Sequence, residues 1–133
     1  LCRGRVPGRV GATLAELKQF IPAGEAFAKA TFSALRTESS EQQVKALNRS
    51  QWLVCGIEAH VCVYQTVIDL LASGKQVHLL SDCVSSRNPA NKQLALQKMH
   101  SAGAQLTGVE MALFELLERA DTEQFKSILP LIR

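Results

Sequence analysis

The sequence predicts an α/β fold of three αβα layers, a doubly wound and mainly parallel sheet with helices on both faces. Two observations carry this. From about residue 51 onward, short apolar runs rich in Val and Leu alternate with longer amphipathic segments. Consecutive strand–helix–strand units then require parallel pairing, because the chain must cross back over the sheet before each new strand begins. Length sets the scale: 133 residues with 47% hydrophobic content suit a single domain, 1–133, with one core.

The elements follow in order. Residues 1–11 hold three glycines, one proline and three arginines without apolar periodicity, and read as loop. Thr13, with Glu16 three residues on, caps a short helix that Pro22 and Gly24 end. Residues 25–29 form a brief strand, and 41–47 an exposed helix. Residues 51–56 are a short apolar strand, 61–72 an amphipathic helix closed by Gly74, and 76–81 a second strand. Residues 91–102 make the next helix, closed by Gly103, followed by a strand at 104–107 and a helix at 109–119. Asp121 opens a last short helix near Pro130.

Several function classes fall away on composition. The net charge of +3 comes partly from Arg3, Arg5 and Arg9, and later charges of both signs are mixed, so no basic stripe for nucleic acid forms. No apolar run approaches the roughly 20 residues that cross a bilayer. Cys2, Cys55, Cys62 and Cys83 lack paired metal spacings, as do His60, His78 and His100. Reduced thiols, no protein-bound metal and no cofactor are expected.

In an open parallel sheet, chemistry gathers beyond the carboxyl ends of the strands. That rule selects Lys29, the loop from Gly56 to Cys62, and the stretch from Asp82 to Arg87. Cys62 falls at or near the first turn of a helix, where unpaired N–H groups and the partial positive charge of the terminus favour a thiolate. The same N–H groups can receive the oxyanion formed when sulfur attacks a carbonyl carbon. Lys29 adds a cation nearby. Each has a plainer reading: a cysteine between Val61 and Val63 is often a small buried hydrophobe, and Lys29 alone a solvated lysine. His60 and Cys62, two residues apart, diverge and make a poor dyad. Cys55 and Cys83 read as buried, Asp82 as a cap for its own loop, and Trp52 and Phe32 as core or pocket wall.

The run Val54-Cys55-Gly56-Ile57-Glu58-Ala59-His60-Val61-Cys62-Val63, with Thr66, Asp69-Leu70-Leu71 and Gly74, resembles the nucleophile region of the isochorismatase-like cysteine hydrolases. The stretch from Phe27 to Leu35 resembles that family's lysine motif, and Ser81 to Arg87, Ser101 to Ala104 and Pro7 to Leu14 also fit; Leu1 to Val6 fits poorly. The resemblance implies a Rossmann-like isochorismatase fold with its first strand missing. It assigns Cys62 as nucleophile, Lys29 as its cationic partner, a cis peptide between Ile57 and Glu58, and the backbone N–H groups of Glu58 and Cys62 as the oxyanion hole.

What this implies about function is hydrolysis of a small amide or related C–N bond, in the cytoplasm, by a homo-oligomer acting on a small molecule. The family's general base is an Asp at the end of its first strand, and no aspartate precedes Asp69 here. Two alternatives remain: a vinyl-ether hydrolase of the isochorismate type, which needs no cysteine, and an inactive assembly module.

Overall fold

The computed structural model describes residues 3–5, 15–21 and 26–132. The Thr13 cap, the stop at 22–24 and Cys2 lie outside them. Every described strand pairing is parallel, as the alternating pattern requires. β1 (Arg3–Arg5) pairs with β2 (Ala26–Ala28), and β3 (Gln51–Ile57), β4 (Gln76–Ser85) and β5 (Gln105–Thr107) form a second sheet in that order. β1 corrects the reading of residues 1–11 as loop throughout. Ladder hydrogen bonds are made by the main chain, so a strand can be recruited by a neighbour without any apolar alternation of its own.

Between β1 and β3 lie α1 (Ala15–Lys18), a 3₁₀ turn (Ala34–Arg36) and α2 (Glu38–Ala46). A π-helical turn (Ala59–Val63) leads directly into α3 (Tyr64–Ala72), which joins β3 to β4. The helical run thus begins earlier than the expected residue 61. Gly74, at φ 77°, ends it in the left-handed conformation that a β-carbon disfavours, and Lys75 N–H donates to Leu70 O at 3.1 Å. α4 (Pro89–Ser101) starts with Pro89 at its first turn and Asn88 as cap, whose Oδ1 accepts from Ala90 N–H at 2.9 Å. α5 (Val109–Leu117), α6 (Glu123–Ile128) and a 3₁₀ turn containing Pro130 (Leu129–Leu131) close the described chain. The last helix is capped by Thr122, not opened at Asp121.

The core forms where α3 and α4 cross the second sheet. Val67 and Leu70 from α3, and Ala95 and Met99 from α4, pack with Val77, Leu79 and Val84 of β4. Trp52 and Val54 of β3 join its margin, and Trp52 Nε1 donates to Arg49 O at 3.1 Å. Phe32, by contrast, is 55% exposed and belongs to no core. No helix among the described residues is long and apolar enough to cross a membrane.

β4 runs four residues beyond the expected end at Ser81. Val54 pairs with Leu79, yet Gly56, two residues on, pairs with Val84, so the register skips as β3 approaches its end. Gly56 sits at φ 129°, a backbone state open to glycine and hard for other residues, which lets β3 follow the skip. The consequence is that Cys83, expected to be buried, is exposed; Cys55, also expected to be buried, is exposed because it alternates outward with Leu53 and Ile57. Cys55 was legible as a strand residue, whereas Cys83, read as lying just past its strand, falls inside the longer β4.

Candidate active site

β3 delivers the chain to the Ile57–Glu58 peptide, which is cis. Glu58 then caps the π turn in extended conformation, its carbonyl accepting from Val61 N–H at 3.1 Å and Val63 N–H at 3.2 Å. Cys62 is therefore the fourth residue of a helical run that starts at Ala59, inside its opening π turn. Its N–H still falls within the set that a helix start leaves without regular partners. The cysteine is half-buried, neither walled into the core nor fully open.

The Glu58 side chain faces the loop after β4. Its Oε2 accepts from Arg87 N–H at 3.1 Å and from Arg87 Nε at 3.4 Å. Arg87's backbone N–H, with its guanidinium and His60 adding, holds the Glu58 carboxyl below the ordinary range against opposing desolvation. His60 turns away from Cys62: its Nδ1 lies 3.0 Å from Ser86 Oγ and 3.8 Å from Glu58 Oε2. The cluster thus ties the nucleophile turn to the loop after β4, and a His60–Cys62 dyad is not what the ring is used for.

Lys29 follows β2 directly and is only 6% exposed, so the solvated reading fails. Its Nζ donates to Thr31 O at 2.9 Å and Phe32 O at 2.8 Å. Two carbonyls satisfy donors without neutralising the charge. A buried ammonium with no carboxylate partner among the described residues favours an anion close by. The loop that holds it is itself ordered: Thr31 Oγ1 donates to Ser33 O at 2.8 Å and lies 2.9 Å from Thr37 Oγ1, and Ser33 Oγ accepts from Leu35 N–H at 3.2 Å.

The lysine loop and the nucleophile turn meet at Thr66. Its hydroxyl donates to Cys62 O at 2.7 Å and accepts from Ala34 N–H at 3.0 Å. One turn further along α3, Asp69 receives a bidentate pair from Arg36, at 2.9 and 3.0 Å. That guanidinium holds the Asp69 carboxyl below its ordinary range. Sequence reasoning noted Thr66 and Asp69 only as parts of a motif. The back-bond from Thr66 to Cys62, four residues earlier, was legible from spacing; the contact with Ala34, 32 residues away, was not.

Asp82 does not cap its own loop. Its carboxylate accepts from Val109 N–H at 2.9 and 3.2 Å, capping α5 from a neighbouring strand. Cys83, beside it, has its thiol pushed up by partial desolvation, then by Asp82 and Cys55. Two cavities stand out: one of about 620 Å³ lined by Leu35, Arg36, Val44 and Asp69 among others, and a smaller one bordered by His60, Tyr64 and Lys98. Neither includes Cys62 or Lys29, so the case for the site rests on polar groups and not on a concavity.

These features coincide with a known family. The pattern of the isochorismatase domain matches residues 6–111. The chain belongs to the isochorismatase family. It is 40% identical over 129 residues to the secreted isochorismatase effector Isc1 of Phytophthora sojae, covering 94% of this chain and 61% of that protein. The chain thus spans about three fifths of that relative's length. Among solved structures, the MAR1 ribonuclease of Caenorhabditis elegans superposes with a TM-score of 0.88 at 34% identity, over 98% of this chain and 68% of that one. YcaC from Pseudomonas aeruginosa, solved with hexane-2,5-diol and covalent acrylamide, gives 0.88 at 29% identity, over 97% and 65%. The isochorismatase fold anticipated from the motifs is therefore the fold of the chain.

Proposed function

We propose that this isochorismatase-family chain works in a hydrolase that cleaves a small amide or related C–N bond through a thioester on Cys62. The observation that carries the reading is the pairing of a half-buried cysteine in the opening turn of a helical run with a buried lysine that has no carboxylate partner among the described residues, joined through Thr66. The thiolate of Cys62 attacks the carbonyl carbon, and the oxygen takes the negative charge between the N–H groups of Glu58 and Cys62. The C–N bond breaks, the amine leaves with a proton, and water then cleaves the thioester, releasing the acid and restoring the thiol. Lys29 favours the thiolate form. No aspartate precedes Asp69 in the 133 residues, so this reading places the acceptor of the thiol proton on a segment outside them.

Two further observations support the proposal. The Pseudomonas relative holds acrylamide covalently, as a protein with an activated nucleophile would. Exposed apolar residues on the second sheet, Leu53 and Ile57 among them, suit contact between copies of the chain. The ribonuclease name of one structural relative would ask for a basic surface, whereas the charges here are mixed along the sequence.

Iodoacetamide with peptide-resolved mass spectrometry tests the nucleophile. Cys62 should react ahead of Cys55 and Cys83, although the latter two are more exposed. Uniform slow labelling of all three would remove the basis for an activated sulfur. In the complete enzyme, Cys62→Ala should lower turnover by about a thousandfold or more. Full turnover in that variant would exclude thioester chemistry and favour hydrolysis of a vinyl ether.

A further inference from the structure

We infer that Thr66 is a positioning residue that sets the Lys29 loop against the Cys62 turn, so that its hydroxyl governs how reactive the Cys62 sulfur is. The inference rests on the reading of Cys62 as nucleophile, and it concerns a residue that touches neither substrate nor the reacting atoms.

The 3₁₀ turn Ala34–Arg36 opens with N–H groups that a helix start leaves without regular partners. Ser33 Oγ takes the one from Leu35, and Thr66 Oγ1, on a different element, takes the one from Ala34. A threonine inside a helix commonly gives its own proton to the carbonyl four residues back, and Thr66 does this to Cys62. The single hydroxyl therefore donates to the nucleophile's carbonyl and accepts from the lysine loop. A hydroxyl has one proton to give, and the donation to Cys62 leaves its lone pairs directed at Ala34.

The lysine end of this link is stiff. Lys29 Nζ is held by the carbonyls of Thr31 and Phe32, so its position follows the path of residues 31–34. That path is fastened at Ala34 by Thr66 and at Arg36 by Asp69, three residues further along α3. Displacing Ala34 from Thr66 moves the carbonyls that hold the ammonium, while the Arg36–Asp69 pair keeps the loop docked as a whole. The effect of losing the hydroxyl is thus on charge placement near Cys62 rather than on whether the loop folds.

The test compares Thr66→Val, which keeps the shape and loses the hydroxyl, with Thr66→Ser, which keeps the hydroxyl. The readout is the pH profile of Cys62 alkylation by iodoacetamide in the full chain, with Cys55 and Cys83 as internal references. In Thr66→Val the Cys62 rate at neutral pH should fall about tenfold and the profile move to higher pH, because small misplacements of charge near a reacting atom have effects of that order. Thr66→Ser should stay within about twofold of the parent, and Cys55 and Cys83 should react alike in all three proteins. An unchanged Cys62 profile in Thr66→Val overturns the inference, and so does an equal loss in Thr66→Ser. Should Thr66→Val fail to fold, Thr66→Ala takes its place in the same comparison with Thr66→Ser. If Cys62 in the parent reacts no faster than Cys83, the nucleophile reading fails by itself. Amide hydrogen exchange over residues 29–36 then decides the link: faster exchange in Thr66→Val but not in Thr66→Ser supports it, and equal exchange overturns it.

Discussion

The two faces of the second sheet differ more than their residues do. β3 carries Trp52 and Val54 toward the core and Leu53, Cys55 and Ile57 away from it, in strict alternation. Leu79 of β4 is fully buried, whereas Leu53 is 52% and Ile57 64% exposed. The hand of the crossovers explains the difference. β3, β4 and β5 lie side by side in chain order, and right-handed connections between strands that advance in one direction put both linking helices, α3 and α4, on the same face. Apolar residues on the opposite face then lack that cover among the described residues. The lesson is that a strand's alternation says which residues share a face, but not which face the helices will shield.

The sharpest way to break this comparison is to truncate one leucine on each face. Leu79→Ala should cost about 2–5 kcal/mol, because it leaves a cavity in close-packed surroundings. Leu53→Ala should cost no more than about 0.5 kcal/mol, since its side chain is half in water already. Chemical denaturation measures both, and similar costs would mean the open face is shielded in solution.

Exchanging Leu53 and Ile57 for lysine probes the same face from outside. The double variant should melt close to the parent while sedimenting as a smaller species, because charge would remove the apolar contact proposed between copies. A parent that is monodisperse and monomeric would contradict that contact.

The smallest expected effect lies on the outer side of the covered face, where Arg36 pairs with Asp69. The folded state holds the Asp69 carboxyl below its ordinary value, so its contribution is present above the unfolded value, about 3.9, and lost as pH falls through the lower folded one. The difference in melting temperature between the parent and Asp69→Asn should therefore be larger at about pH 7 than at about pH 3. A difference that does not shrink on acidification would show that the pair adds nothing through its charge.

Much of the candidate site was named from the sequence. Cys62 and Lys29 stood out because residues at the carboxyl ends of parallel strands converge on one edge, and the motif from Gly56 to Cys62 named its own turn. What escaped was every bond formed across the chain. Glu58 meeting Arg87, Asp82 capping α5 and Thr66 reaching Ala34 each join residues about 30 positions apart, and no local period encodes such a meeting. The exposure of Cys83 was misjudged for a related reason, since the register skip turns it outward, and that of Cys55 because it lies on the face of β3 that the linking helices leave uncovered.

The sequence by itself determined the parallel α/β plan and the stop at Gly74, because backbone preference acts over a few residues. Only the tertiary structure decided which face of β3 is shielded, where β4 ends, and that Lys29 is buried on the carbonyls of its own loop. Those outcomes depend on how distant segments pack, and packing is settled by the whole chain at once.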